Sequence, residues 1–164
     1  GHVLIDGNTG ESLKAAKQSW MEDPVWQPLR KHCEDSFVVQ DWFELFVAQN
    51  LVTDGLLYPL VYGRFAGELS QTGGAVVSML TEFMDEWYAE SVKWVDAFVK
   101  TAAAESPENK HLLSQWVRDG IASTTEALTP LAKLMYLEDA QPALDEARAA
   151  LLARVAKTGL HVHT

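Results

Sequence analysis

Carboxylates at helical spacing are the residues of this chain that best suit metal chemistry. Glu82, Glu86 and Glu90 recur every four residues, which places them on one face of a helix. Carboxylate-bridged di-iron bundles need two Glu-x-x-His pairs and one further Glu on each of two other helices. The sequence holds a single pair of that type, Glu108 and His111, in the first turn of a predicted helix, where the helix dipole alone favours Glu. Because unpaired like charges at this spacing repel, we predict that the glutamate row faces solvent or an interface.

Histidine and cysteine offer little further chemistry. His32 lies beside Cys33, and His161 and His163 stand two residues apart near the C-terminus. We interpret the first as a packed or surface pair, because the chain has one cysteine and no two histidines at helical spacing. A His-x-His pair at a chain terminus is interpreted as incidental. The sequence also lacks a glycine-rich phosphate loop, a nucleophile elbow and a plausible Ser-His-Asp set, so we assign no catalytic, cofactor-binding or metal-binding residue.

The glutamate row lies on a long central helix predicted over Gly74–Lys100. Its apolar residues recur at steps of three and four: Val76, Leu80, Phe83, Met84, Trp87, Tyr88, Val95, Phe98 and Val99. Ser91 fills the one gap and is small enough to pack. At 1.5 Å per residue such a helix is about 40 Å long. With aromatic residues on more than one side, it needs partner helices and forms the centre of a bundle.

A second long helix begins at Asp41 and is apolar almost all the way round, so we expect it to be buried on several sides. In a helix the ring of Pro59 would clash with the backbone carbonyl of Gly55, four residues earlier, and this predicts a kink or a local bulge. Asn50 and Asp54 form either a site lined by polar groups or a hydrogen-bonded interior network, and we favour the network. Residues 63–74 are predicted as a loop or a frayed helix end.

Shorter helices flank these two, and no segment has the alternation of a strand. Start and stop signals from proline, acidic residues and glycine predict four such helices. The first two begin after Asn8 or Thr9 and extend over Pro28–Asp35. The third extends from Ser106-Pro107 to Met135 with bends at Gly120 and Pro130, and the fourth from Pro142 to Gly159. The prediction is an all-α protein with one helical-bundle domain over residues 1–164, or a half-domain that a partner chain completes.

The composition of the chain restricts the classes of binding partner and the cellular compartment that we expect. The net charge of −10 argues against nucleic acid and anionic membranes as partners. No apolar run approaches the roughly 20 residues of a membrane span, and no signal peptide is visible. One cysteine among 164 residues suits the cytoplasm. Six tryptophans is a heavy load for this length, so some of them are expected to face another protein.

Three long strings carry a resemblance to a known family. They are WFELFVAQNLVTDGLLYPLVY over residues 42–62, SMLTEFMDEW over 78–87 and WVDAFVKTAAAESPENK over 94–110. They resemble the β subunit of the phenol hydroxylase group of bacterial multicomponent monooxygenases. The resemblance extends over roughly residues 13–131, and its strings are far more specific than a short motif.

The resemblance implies a fold, a function and partners. The family's hydroxylase is a dimer of α, β and γ subunits, and its α subunit holds the di-iron centre that uses O₂ and NADH-derived electrons to hydroxylate aromatic rings. The β subunit shares the ferritin-like helical fold, lacks the iron ligands and packs on α. This chain would thus be a non-catalytic structural subunit with no cofactor of its own. Ala89, three residues after Glu86 where a ligand-bearing helix would have His, agrees with that.

One departure from the family keeps other interpretations open. The family's β chain is roughly twice as long, and this sequence resembles its second half, so it is a fragment, a split subunit or a short relative. A half-bundle would expose the apolar faces of both long helices, which predicts self-association or a large complex. The alternative is a stand-alone or homodimeric bundle that binds a small ligand or a partner around Asn50 and Asp54 and has no monooxygenase role.

Overall fold

The computed structural model describes residues 9–73 and 75–162, and every regular element in those ranges is helical. The α-helices are α1 (Thr9–Glu22), α2 (Gln27–Asp35), α3 (Trp42–Phe46), α4 (Asp54–Tyr58), α5 (Ala66–Gly73), α6 (Ala75–Glu105), α7 (Pro107–Tyr136) and α8 (Ala140–Lys157). Two π-helical segments, Val47–Thr53 and Pro59–Phe65, join α3, α4 and α5 into one continuous helix, called here the split helix. Short 3₁₀ turns at Ser36–Val38 and Leu137–Asp139 follow α2 and α7.

The predicted capping signals determine where several helices begin and end. The Asp41 carboxylate accepts a hydrogen bond from the backbone N–H of Phe43 at 2.8 Å and opens the split helix. Ser106 accepts one from the N–H of Asn109 at 3.0 Å and opens α7. Gly159, with φ +87°, lies just after α8 and adopts the left-handed conformation that glycine tolerates best. The predicted caps at Asp41, Ser106 and Gly159 are confirmed, whereas Asn8 and Gly74 lie outside the described residues.

The split helix confirms one prediction about its interior and corrects another. Pro59 opens the second π-helical segment, so the expected local bulge is present. The prediction of a loop or a frayed helix end over residues 63–74 was wrong for residues 63–73, which are helical, and Gly74 lies outside the described residues. An ion pair within this stretch, Arg64 Nε to Glu68 Oε1 at 3.1 Å, and packing of α5 against α6 offset the low helix propensity of its glycines.

The core is centred on α7, which packs against α2, α6, α8 and the first π-helical segment. The fully buried side chains of the core come from α6, α7, α8 and the first π-helical segment: Val47, Leu51, Val52, Val95, Val99, Leu113, Val117, Ile121, Leu128 and Leu151. At Gly120 an added Cβ would lie 3.4 Å from the side chain of Val52, so α7 and the first π-helical segment approach each other closely there. α7 continues as an α-helix through both Gly120 and Pro130. On α8, Leu144, Ala147, Leu151 and Val155 lie on one face and are all buried.

The apolar stripe predicted for the central helix divides into two parts in the structure. Ser91, Val95 and Val99 are buried against the rest of the chain, as expected. Phe83, Trp87 and Phe98 were expected beside them, but they are 68%, 44% and 53% exposed. The side chains of Val76 and Leu80 lie outside the described set. Periodicity identified the apolar side of α6 correctly, but part of that side stays half exposed even where its rings pack on the split helix, as Trp87 does on Tyr58 and Phe98 does on Phe46.

Candidate functional site

The predicted glutamate row is exposed along α6. Glu82, Glu86 and Glu90 all face outward, and Glu90 Oε1 pairs with Lys93 Nζ at 2.5 Å. Glu108 and His111 are exposed on the first turn of α7. Within residues 9–73 and 75–162, no group of three or more His, Cys, Asp or Glu side chains is arranged to hold a metal ion.

His32 belongs to a buried hydrogen-bonded cluster. Its Nε2 lies 3.0 Å from Thr53 Oγ1 and 3.4 Å from Thr124 Oγ1, and the two hydroxyl oxygens lie 3.4 Å apart. Burial lowers the pKa of His32 and raises that of the Cys33 thiol. A neutral imidazole therefore links α2 to the split helix and to α7, and the pair is packed, as interpreted from the sequence. His161 is exposed, and His163 lies outside the described residues.

Asp54 lies beside a polar network that links the split helix, α6 and α8. Arg154 Nε donates to Asp96 Oδ1 at 2.7 Å, and Arg154 Nη1 donates to the Tyr88 hydroxyl at 3.3 Å. The ring of Tyr88 stacks on that of Tyr58 at a centroid distance of 4.9 Å. Burial raises the pKa of Asp54 to about 6, and the charge of Arg154 opposes this rise.

Sequence reasoning favoured a hydrogen-bonded interior network around Asn50 and Asp54. Both side chains are half-buried, but the hydrogen bonds of this network join Arg154 to Asp96 and Tyr88, and sequence reasoning missed Arg154. It joins Asp96 across 58 residues, and no local pattern in the sequence indicates such a pairing. Within residues 9–73 and 75–162, the buried Nη2 of this guanidinium has no hydrogen-bond partner.

A surface of exposed aromatic side chains on α6 is larger than the Arg154 network. We define the α6 outer face by Phe83, Trp87, Trp94 and Phe98, which are between 44% and 68% exposed. Aromatic rings of the split helix continue it, and the ring centroids of Phe46 and Trp94 lie 5.5 Å apart. From the sequence, Phe83, Trp87 and Phe98 belong to the apolar stripe of the central helix, and the apolar faces of a half-bundle and some of the tryptophans were predicted to meet another protein.

The outer face ends in a groove at the start of the split helix. The groove has a volume of about 430 Å³ and is lined mainly by apolar groups: Trp42, Phe43, Ala97, Phe98, Thr101, Ala102, Glu105 and Asn109. Trp42 itself is 68% exposed. Since an aromatic side chain carries about 150–250 Å² of surface, these partly exposed rings leave roughly 500 Å² of apolar area to solvent. An area of that size is at the upper end of the largest apolar patch on a typical monomer, and patches of this kind often have a function.

Comparison with known proteins identifies the family. The model of the Methane/Phenol/Alkene Hydroxylase family matches residues 2–106. The chain belongs to this family. It is 51% identical over 160 residues to the phenol 2-monooxygenase oxygenase component DmpL of Pseudomonas sp. strain CF600, a match covering 96% of this chain and 47% of that one. It is 45% identical, with the same two coverages, to the oxygenase component MhpL of Acinetobacter pittii strain PHEA-2.

More distant and structural relatives agree with this assignment. The β subunit of the toluene-4-monooxygenase hydroxylase component of Ectopseudomonas mendocina is 25% identical over 62% of this chain. The crystal structure of xenon-pressurized phenol hydroxylase from Pseudomonas sp. OX1 superposes with a TM-score of 0.89 at 45% identity, covering 97% of this chain and 48% of that one. The predicted family and all-α bundle fold are confirmed. The chain spans about half the length of the oxygenase components it matches.

None of the helices in the described ranges has the length and hydropathy needed to cross a membrane.

Proposed function

We propose that this chain is a non-catalytic structural β subunit of a phenol or aromatic-ring hydroxylase, packing on the di-iron α subunit. The observation that carries the proposal is a donor set that does not suit a di-iron centre in a chain belonging to a hydroxylase family. Such a centre needs two Glu-x-x-His pairs that point into a bundle. Here Ala89 follows Glu86 at the position of a histidine, and the only Glu-x-x-His pair lies at an exposed helix start.

The interior of the bundle also disfavours a metal cation. Asp54 is the half-buried carboxylate best placed to act as a ligand, but Arg154 holds a fixed positive charge beside it. That guanidinium is hydrogen-bonded to Asp96 and Tyr88, so it is held in position. A divalent cation at Asp54 would experience repulsion from Arg154. We derive no reaction step within this chain.

The chemistry would then occur in the partner subunit. In this proposal the α subunit activates O₂ with electrons from NADH at its di-iron centre, and this chain contributes packing surface. We further propose a γ subunit, a dimer of αβγ trimers and a cytoplasmic location. The relatives support this proposal, because they are named as oxygenase or hydroxylase components. The exposed aromatic surface also supports it, because such a surface suits a chain that packs against other subunits.

Co-purification with metal analysis tests the proposal. The chain should be co-expressed with the α and γ subunits of its source and analysed by size exclusion with light scattering and by elemental analysis. We expect a large particle whose iron follows the α subunit when the subunits are separated. A chain that stays at its monomer mass of 18.2 kDa in the presence of α would overturn the proposal and favour a stand-alone ligand-binding bundle.

A further inference from the structure

The split helix and α6 run antiparallel, and their aromatic contacts determine which of their residues lie level with each other. The ring centroids of Phe46 and Trp94 lie 5.5 Å apart, and those of Tyr58 and Tyr88 lie 4.9 Å apart. Asp54 precedes Tyr58 by about one helical turn. It therefore lies level with the turn of α6 that follows Tyr88.

The residues at this level have the spacing of a metal-ligand set but lack most of its donor atoms. In di-iron bundles two helices each supply a single Glu, and two others each supply a Glu-x-x-His pair. Asp54 is a single carboxylate on the split helix. On α6, Tyr88 and the buried Ser91 have the spacing of such a pair, but they offer a phenol and a hydroxyl in place of carboxylate and imidazole. The donor set at this level does not fit a metal ion.

A guanidinium fills the space beside these residues. The Arg154 side chain reaches it from α8 and is only 12% exposed, and its Nη1 donates to the Tyr88 hydroxyl at 3.3 Å. A Cβ added at Gly55 would lie 3.6 Å from the same Nη1. The Nε of Arg154 donates to Asp96 Oδ1 at 2.7 Å, which holds the guanidinium in place. A fixed positive charge therefore lies between α8, α6 and the split helix at the level of Asp54.

We propose that Arg154 is a permanent internal cation that occupies the place of a metal ion beside Asp54 and keeps metal ions out of this half of the bundle. A guanidinium stays charged at every physiological pH and has no lone pair to offer a metal. Asp96 fixes its position, and the absence of a side chain at Gly55 lets α8 bring it close to the split helix. The inference rests on the proposed function, in which iron belongs to the α subunit. It assigns to Arg154 the task of preventing this chain from competing for that iron.

Titration of the purified chain with Co²⁺ tests this assignment. Tyr88→Glu and Ser91→His introduce a carboxylate and an imidazole on α6, and Arg154→Ala removes the guanidinium. We expect this triple variant to bind one Co²⁺ with new absorption in the visible range, and Asp54→Asn in the same background should remove most of that absorption. The matched double variant that keeps Arg154 should bind Co²⁺ at least about 100-fold more weakly, because the fixed positive charge repels the ion.

Two results of this titration would overturn the assignment. One is a triple variant that has the helical circular dichroism of the parent and binds no Co²⁺. The other is Co²⁺ binding of equal affinity with and without the guanidinium. Failure in the variants alone leaves the proposed function intact. Binding of iron by the parent chain at Asp54, with Arg154 in place, would overturn the proposed function as well.

A single variant covers the case in which the triple variant does not fold. Arg154→Ala should lower the urea midpoint of the chain by about 1 M, because it leaves the half-buried Asp96 carboxylate without its partner. Ethylguanidinium contains the atoms that this variant lacks, and it should raise the midpoint in a saturable manner. Ethylammonium has the same charge without the planar fork of donors, so it should raise the midpoint less.

Arg118→Ala, at an exposed position of α7, is the control for this rescue. Its urea midpoint should match that of the parent and should not respond saturably to either cation. If ethylguanidinium left the midpoint of Arg154→Ala unchanged, or raised that of Arg118→Ala equally, the bundle would have no specific place for a cation and the assignment would be wrong.

Discussion

Replacing Asp54 with Asn should stabilise the chain at neutral and alkaline pH. Burial raises the pKa of this carboxyl from 3.8 to about 6. The folded state thus binds the proton more tightly than the unfolded state, and the free energy of unfolding falls as the pH rises through this interval. The stability contribution of the protonated carboxyl is fully present below pH 3.8 and is lost as the pH rises through about 6.

The size of the effect follows from the shift. A difference of roughly two pKa units corresponds to about 3 kcal/mol, and the remaining solvent contact of this half-buried side chain reduces it to about 2 kcal/mol. Asn keeps the shape of the protonated carboxyl and carries no charge. Asp54→Asn should therefore match the parent near pH 4 and exceed its free energy of unfolding by about 2 kcal/mol at pH 8.

Urea unfolding at pH 4, 6 and 8 measures this difference, followed by circular dichroism at a fixed protein concentration. Asp85→Asn removes a charge of the same sign from an exposed position of α6 and controls for net charge. If Asp54→Asn were less stable than the parent at pH 8, the reasoning would be refuted. Attraction to Arg154 would then outweigh the burial penalty, and the carboxylate would be a paired member of the network.

Three further substitutions test the packing. Tyr136→Phe should cost about 1–2 kcal/mol in urea unfolding, because the buried hydroxyl donates to a carbonyl of the second π-helical segment. Gly55→Ala should lower the free energy of unfolding by about 1–3 kcal/mol, because the new Cβ would lie 2.7 Å from a leucine side chain of α8. Gly63→Ala is its control: the new Cβ would meet no atom within 4 Å, so the variant should be as stable as the parent or more stable. Trp94→Ala should lower the free energy of unfolding by about 1–2 kcal/mol. That is less than the roughly 2–5 kcal/mol expected for Leu51→Ala, because Leu51 is fully buried. An equal loss in the two variants would show that Trp94 belongs to the core.

The parts of the fold that the sequence predicts best are those determined by local chemistry. Asp41, Ser106 and Gly159 mark helix ends because their side chain or backbone satisfies groups that a helix leaves free. On α8, Leu144, Ala147, Leu151 and Val155 recur at steps of three and four and are buried, although several of its alanines are exposed. The clash of the Pro59 ring with the Gly55 carbonyl predicted a kink or local bulge, which is present as the second π-helical segment. The first π-helical segment, Val47–Thr53, has no such residue and no comparable signal.

Other features depend on contacts that no local pattern contains. The position of Arg154 beside Asp96 and Tyr88 results from packing between α8 and α6, so the polar network was predicted at Asn50 and Asp54 without its central cation. The aromatic surface of α6 was predicted only in general terms, as exposed apolar faces and tryptophans that meet another protein, for a related reason. Hydrophobic periodicity shows which residues of a helix avoid water, but it does not distinguish a neighbour in the same chain from a neighbour in another.

That distinction explains why a single helix, α6, carries both fully buried and largely exposed apolar side chains. Val95 and Val99 are fully buried, while Phe83 is 68% exposed on the same helix. The buried side consists of small and β-branched residues that let α6 approach the split helix and α7 closely, and the exposed side consists of aromatic rings, which contribute most area per residue at an interface. The two sides therefore suit two different packing partners. A substitution on the inner side should lower the stability of the chain itself, whereas one on the α6 outer face should mainly weaken what the chain binds.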